Sequence, residues 1–166
     1  MRALLPVLFL ALLACETRAT QDACPGDVQG TFRLVGELVD GAACAEVGGA
    51  TGTIDLTVAV SFTGETAAAI CLQRPLAEPL VGTRDGDRIA VSAAPASGTA
   101  RGCACTVQLL ERIEGTLSRE GGVATGLSGD LSAELSPADG APTCAPAEDG
   151  DTCSVPCVVR WTLSTG

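Results

Sequence analysis

Past residue 29 the apolar positions of this chain recur at every second residue. The clearest case is the stretch 53–63, where Ile54, Leu56, Val58, Val60 and Phe62 fall on one side and Thr53, Asp55, Thr57, Ala59, Ser61 and Thr63 on the other. A clean period of two specifies an antiparallel strand with one face toward a core and one toward water. The same pattern predicts a strand over 31–39, where Phe32 and Leu34 alternate with Thr31 and Arg33 until the pattern blurs at Gly36. Another is predicted over 66–73, where Ile70 and Leu72 share a face and Cys71 opposes them. Strands over 80–84 and 87–93 flank Asp85-Gly86, a pair suited to a two-residue hairpin turn.

The longest predicted strand covers 103–118. Its odd positions are mostly apolar, but Glu111 lies among them and Leu110 lies opposite, which predicts a bulge or bend near 110–112. Glu120-Gly121-Gly122 turns the chain into 123–135, where Val123, Leu127, Leu131 and Leu135 form the apolar side and Gly126 and Gly129 permit strong curvature. Loops are expected over 40–51, 94–102 and 136–156. A last strand over 157–163 turns Val159, Trp161 and Leu163 one way. No window after the start of the chain carries a strong helical period. Seven to eight strands with hairpin-length turns predict an all-β fold, a single antiparallel up-and-down β-barrel or a β-sandwich. The barrel is preferred, because a sheet that closes on itself removes its exposed edges.

The first fifteen residues follow a different pattern. One positive charge, Arg2, precedes an apolar run over 3–13 that ends in small residues. This describes a secretory signal rather than a membrane-spanning helix, which needs roughly 20 apolar residues. Leu12-Leu13-Ala14-Cys15 resembles the lipobox of bacterial lipoprotein precursors, with Leu at −3, a small residue at −1 and then Cys. The resemblance implies that residues 1–14 are removed, that the Cys15 thiol carries fatty-acyl chains such as palmitate, and that Cys15 becomes an N-terminus held in a membrane. Glu16 is not the Asp that marks inner-membrane retention in enteric relatives, so the resemblance implies the outer membrane or the cell surface. The alternative is an ordinary secretory signal cut near Ala19, which discards Cys15. The expected organisation is a signal over 1–14, a lipidated N-terminus and tether over 15–29, and a disulfide-rich β-domain over 30–166.

Composition narrows the chemistry. The chain carries 10 basic and 20 acidic residues, a net charge of −10, and no His or Tyr. It also has no Lys or Asn, so every basic residue is Arg. Removing the signal takes away Arg2 and no acid, which deepens the negative charge. Such a surface repels nucleic acid and anionic headgroups and suits solubility or a cationic partner. Without His or Lys the usual general base, the commonest metal ligand and every Schiff-base nucleophile are missing.

Of the 9 cysteines, setting aside the anchor leaves Cys24, Cys44, Cys71, Cys103, Cys105, Cys144, Cys153 and Cys157. An even number in an exported chain reads as a disulfide framework. Aromatic side chains are few and Ala and Gly abundant, so such cross-links supply stability that a thin core cannot. On a strand, Cys103 and Cys105 point the same way about 6–7 Å apart and should pair with neighbouring elements, not with each other. Cys144 is expected to bridge Cys153 or Cys157. A thiolate metal site built from C-x-C and C-x3-C is the weaker reading in an oxidising compartment.

Other candidate chemistry has a plainer explanation in each case. Glu148, Asp149 and Asp151 surround Gly150 as carboxylates do in calcium loops, but without the full ligand spacing. Asp85-Gly86-Asp87 has the same pattern, and a hairpin explains it. Glu111 on an apolar face is the one candidate for a perturbed carboxylate. With Asp55 or another acid it would make an acid–base pair for hydrolysis; otherwise it meets Arg33, Arg88 or Arg160 in an ion pair, or faces solvent at a strand end. Gly126-Leu127-Ser128-Gly129 is one residue short of a nucleophile elbow. Gly30-Thr31-Phe32 resembles the G-x-W start of lipocalins with Phe in place of Trp, and the resemblance implies an Arg on that ring, with Arg160 the nearest candidate. The leading expectation is a non-catalytic binding or scaffold module of the bacterial envelope, with no cofactor and with an envelope protein as a possible partner. A lipocalin-like carrier of a small apolar ligand and a carboxylate-dependent hydrolase are the alternatives.

Overall fold

In the computed structural model, the described residues are 24–41, 44, 53–73, 78–100, 102–138, 140–141, 143–147 and 153–166. They form strands β1 (Asp27–Asp40), β2 (Thr53–Thr63), β3 (Ala67–Leu72), β4 (Leu80–Asp85), β5 (Arg88–Ser92), β6 (Ala96–Thr99), β7 (Thr106–Glu120), β8 (Val123–Pro137) and β9 (Cys157–Thr165). All pair antiparallel in one sheet of order β5-β4-β3-β2-β1-β9-β8-β7-β6, and a further β5–β7 pairing closes it into a ring. The fold is therefore an up-and-down β-barrel, closed where the last strand, β9, pairs with the first.

β5 and β6 lie end to end against one neighbour. Arg88–Ser92 pairs with residues 112–116 of β7, and Ala96–Thr99 with residues 106–109. The chain slips between them, with Ala93 N donating to Glu111 O at 2.9 Å. The stretch 94–102, expected to be a loop, thus contains a strand. All four residues of β6 are exposed, so no hydrophobic alternation marks it. The same slip relocates the irregularity expected near 110–112. The β7–β8 ladder runs unbroken there, and the disruption sits on the strand opposite.

A bulge falls instead at Thr125 of β8, where Ser118 pairs with Gly126 and Arg119 with Ala124. An extra residue inverts the alternation beyond it. Ala124 consequently points inward at 1 % exposure, and Val123, expected inward, stands outside at 53 %. The two-residue turn between β4 and β5 is Gly86-Asp87, since Asp85 pairs with Arg88; the hairpin expected at Asp85-Gly86 is displaced by one residue. Gly86 has φ +60°, the conformation that a leading turn glycine supplies at little cost.

The barrel interior is filled by its own side chains. Leu34, Val58, Val60, Ile70, Val91, Val159 and Leu163 are all buried, and Phe32, Ile89, Ile113, Leu127 and Trp161 join the same cluster. Gly30 is an inward position that must stay bare, because a Cβ there would lie 1.9 Å from the Ala124 carbonyl oxygen of β8. β1 can cross β8 only at a residue with no side chain.

The domain begins before residue 30. Cys24, Pro25 and Gly26 run over the outer wall, where Ser61 donates to Pro25 O at 2.5 Å and Cys24 is bonded to Cys71 of β3. This strap explains why Ala59, Ser61 and Ala69, outward positions of β2 and β3, are buried. The disulfides Cys44–Cys157, Cys103–Cys153 and Cys105–Cys144 staple the opposite end of the barrel, where the long connections lie. Cys144 thus bridges to Cys105, not across its own loop to Cys153 or Cys157. Cys103 and Cys105 precede β7 rather than lie on it, and Cys103 is tied by an isolated bridge to Pro146.

Candidate functional site

The two ends of the barrel differ in construction. Tight turns at 64–66, 86–87 and 121–122 make one end, and the disulfide-stapled connections make the other. At the turn end the inward alternation of β4 and β7 finishes on cations. Leu80 and Gly82 lead to Arg84, and Ile113 and Leu117 lead to Arg119. Both arginines cover the ring of Phe62 at the end of β2, with guanidinium carbons 4.0 Å and 5.3 Å from its centre. The ring is 5 % exposed, so the stems and guanidinium groups close the apolar core at this end.

Arg119 is engaged through Nε and Nη1. Its Nε donates to Asp87 Oδ1 at 2.6 Å, and its Nη1 donates to Gly122 O at 2.8 Å and more weakly to Gln29 Oε1 at 3.5 Å. Arg84 is much less so. It donates from Nη2 to Gly64 O at the long distance of 3.5 Å, and its buried Nε finds no partner. Among the described residues Arg84 forms no ion pair, and neither does Asp27 at the start of β1.

Asp27, Gln29, Phe62, Arg84, Asp87 and Arg119 line a cleft of about 400 Å³, with Gly64 and Gly86 at its edge. A Cβ on either glycine would meet nothing within 4 Å. A wider groove of about 570 Å³ crosses the outer wall past Arg88, Glu114 and Asp130. The smaller cleft is the better candidate, since it alone joins an unsatisfied buried donor to an aromatic floor. Periodicity marks Phe62 as core. It gives no reason to bring Arg84 and Arg119 together, because the two lie far apart in sequence and meet only when the ring closes.

The residues singled out from the sequence are dispersed. Asp55 lies on the outer wall, where Arg33 holds it by two hydrogen bonds of 2.7 Å and 2.5 Å. Hydrogen bonding from Arg33 lowers the Asp55 pKa below its ordinary value, and the same interaction raises that of Arg33. Glu111 is half-buried on β7, opposite Ala133 of β8, and β7 does not adjoin β2. The carboxylate pair Glu111–Asp55 is therefore not formed, and Arg33 is committed elsewhere. Arg160 is exposed on the outer face of β9 while Phe32 points inward, so the expected Arg160–Phe32 stack is absent. Two different arginines cover a different ring. Gly126, Leu127, Ser128 and Gly129 lie within β8, not on a strand-to-helix turn.

Every cysteine from Cys24 onward is in a disulfide, which leaves no thiolate among them for a metal or for redox chemistry. Cys15, Glu16, Glu148, Asp149 and Asp151 lie outside the described residues. No family model, curated protein or solved structure matches the chain.

Proposed function

We propose that the protein is a lipid-anchored envelope protein of the outer membrane or cell surface, whose barrel acts as a rigid, non-catalytic binding or scaffold module. The observation that carries the binding part is the filled interior. With Leu34, Val58, Val60, Ile70 and Val159 at 1 % exposure or less, a partner is met at an end of the barrel or on its wall. This favours a module that binds on its surface over a carrier that encloses an apolar ligand. Four disulfides suit a chain that works in an oxidising compartment. The anchoring part rests on the lipobox resemblance at Cys15, where two or three acyl chains at about 0.8 kcal/mol per buried CH₂ give lasting attachment.

Cell fractionation of Cys15→Ala tests the anchor. The variant is expected to leave the membrane fraction for the soluble one and to lose labelling by a fatty-acid analogue. Retention in membranes at the level of the unaltered protein contradicts it.

A further inference from the structure

We propose that the cleft at the turn end binds a small zwitterion, a molecule of the amino-acid class that carries one carboxylate and one ammonium group. The inference deepens the binding-module reading and rests on it, but not on the anchor at Cys15.

The charges around the cleft decide the ligand class. Arg119 and Asp87 satisfy each other at 2.6 Å and contribute little net charge. Arg84 and Asp27 remain, one of each sign, lining the same cleft and forming no ion pair with each other or with any other described residue. Arg84 offers the planar fork that suits a carboxylate, and its one hydrogen bond among the described residues is the long 3.5 Å contact from Nη2 to Gly64 O. Stacking on Phe62 at 4.0 Å holds that fork in place before any ligand arrives, which reduces the ordering cost of binding.

A simple anion that reached Arg84 would also face the Asp27 carboxylate. A simple cation drawn to Asp27 would face two guanidinium groups. A molecule bearing both charges satisfies both residues. The cleft, at about 400 Å³, falls near the lower end of ligand-sized sites, and charged side chains dominate its lining. Both features fit a small polar molecule better than a fatty chain.

The test is isothermal calorimetry on the intact, oxidised protein as purified, in detergent. Glycine, β-alanine and 4-aminobutyrate serve as zwitterions of increasing charge separation, with acetate and methylammonium as single-charge controls. At least one zwitterion should bind saturably. Both controls should bind about tenfold more weakly or less, because each can satisfy only one of the two charged residues. Arg84→Gln and Asp27→Asn should each weaken the zwitterion about tenfold. Asp27 is exposed, so Asp27→Asn should fold normally, and it decides the outcome if Arg84→Gln does not fold.

Absence of saturable binding by all three zwitterions overturns the proposal. So does acetate binding as tightly as the best zwitterion with Asp27→Asn indifferent, which would mark a plain anion site. Failure of the Cys15→Ala fractionation leaves this result untouched, so the two readings fail separately.

Discussion

Gly30 and Gly64 show how one residue type answers two unrelated constraints. Gly30 is bare because the Ala124 carbonyl occupies the space a Cβ would need, whereas Gly64 has open space but a backbone φ of +65°. Gly30→Ala must push two strands apart and is expected to cost about 2–3 kcal/mol, as overpacking does. Gly64→Ala meets only left-handed backbone strain and should cost about 1 kcal/mol. Urea unfolding of the two variants checks the order, and equal losses would contradict the close β1–β8 crossing. The Arg33–Asp55 pair makes a second residue-scale prediction. Asp55 titrates lower in the fold than its ordinary value of 3.8. Its stabilising effect is therefore present above that value and is lost as the pH falls through the lower, folded-state pKa. The pair is exposed, so Asp55→Asn should lower the melting temperature only slightly at neutral pH. That small deficit should close on acidification below 3.8, which melting curves across pH will show.

Among the elements, the cross-links should be unequal. Cys103–Cys153 already draws together the segments that Cys105–Cys144 joins, so the latter closes only a short further loop. Cys44–Cys157 spans a separation of 113 residues and still closes a long one when the other bonds are intact. Loop-closure entropy then predicts that replacing Cys44 and Cys157 by Ala costs at least about 1 kcal/mol more than replacing Cys105 and Cys144. Denaturant midpoints of the two double variants measure the difference, and the reverse order would contradict it.

The elements also show what the sequence made legible. The alternation over 53–63 marked β2 from end to end, because its inner face is uniformly apolar and its outer face, apart from Ala59, is polar. Val123 misled because a bulge at Thr125 inverts the face of everything before it, and only the partner strand reveals a bulge. β6 was invisible because an exposed Ala-Ser-Gly-Thr segment carries no pattern. The disulfide pairs were equally hidden, since pairing follows from which loops gather at one end of the closed barrel. The cleft had no local signature for the same reason. Arg84 looks like the last residue of an ordinary strand, and Arg119 like a residue just past the end of another, until the ring brings both over Phe62.

For the whole molecule, closure, filling and stapling act together. The β9–β1 and β5–β7 pairings give each of the long strands β1, β2, β7, β8 and β9 a neighbour on both sides, so that none is left as an open edge. A core of Val, Leu, Ile and Ala fills the ring, and the arginines over Phe62 close it at one end. The cross-links supply stability that a core with few aromatic side chains does not. On the reading proposed above, the protein is an exported chain cut before Cys15 and acylated there, with every other cysteine oxidised. The intact mass of the protein purified from its own membranes tests all three features at once. The expected result is a chain beginning at Cys15, with the added mass of its acyl groups and the loss of eight thiol hydrogens for four disulfides. A chain that begins elsewhere, or a mass that retains free thiols, would contradict it.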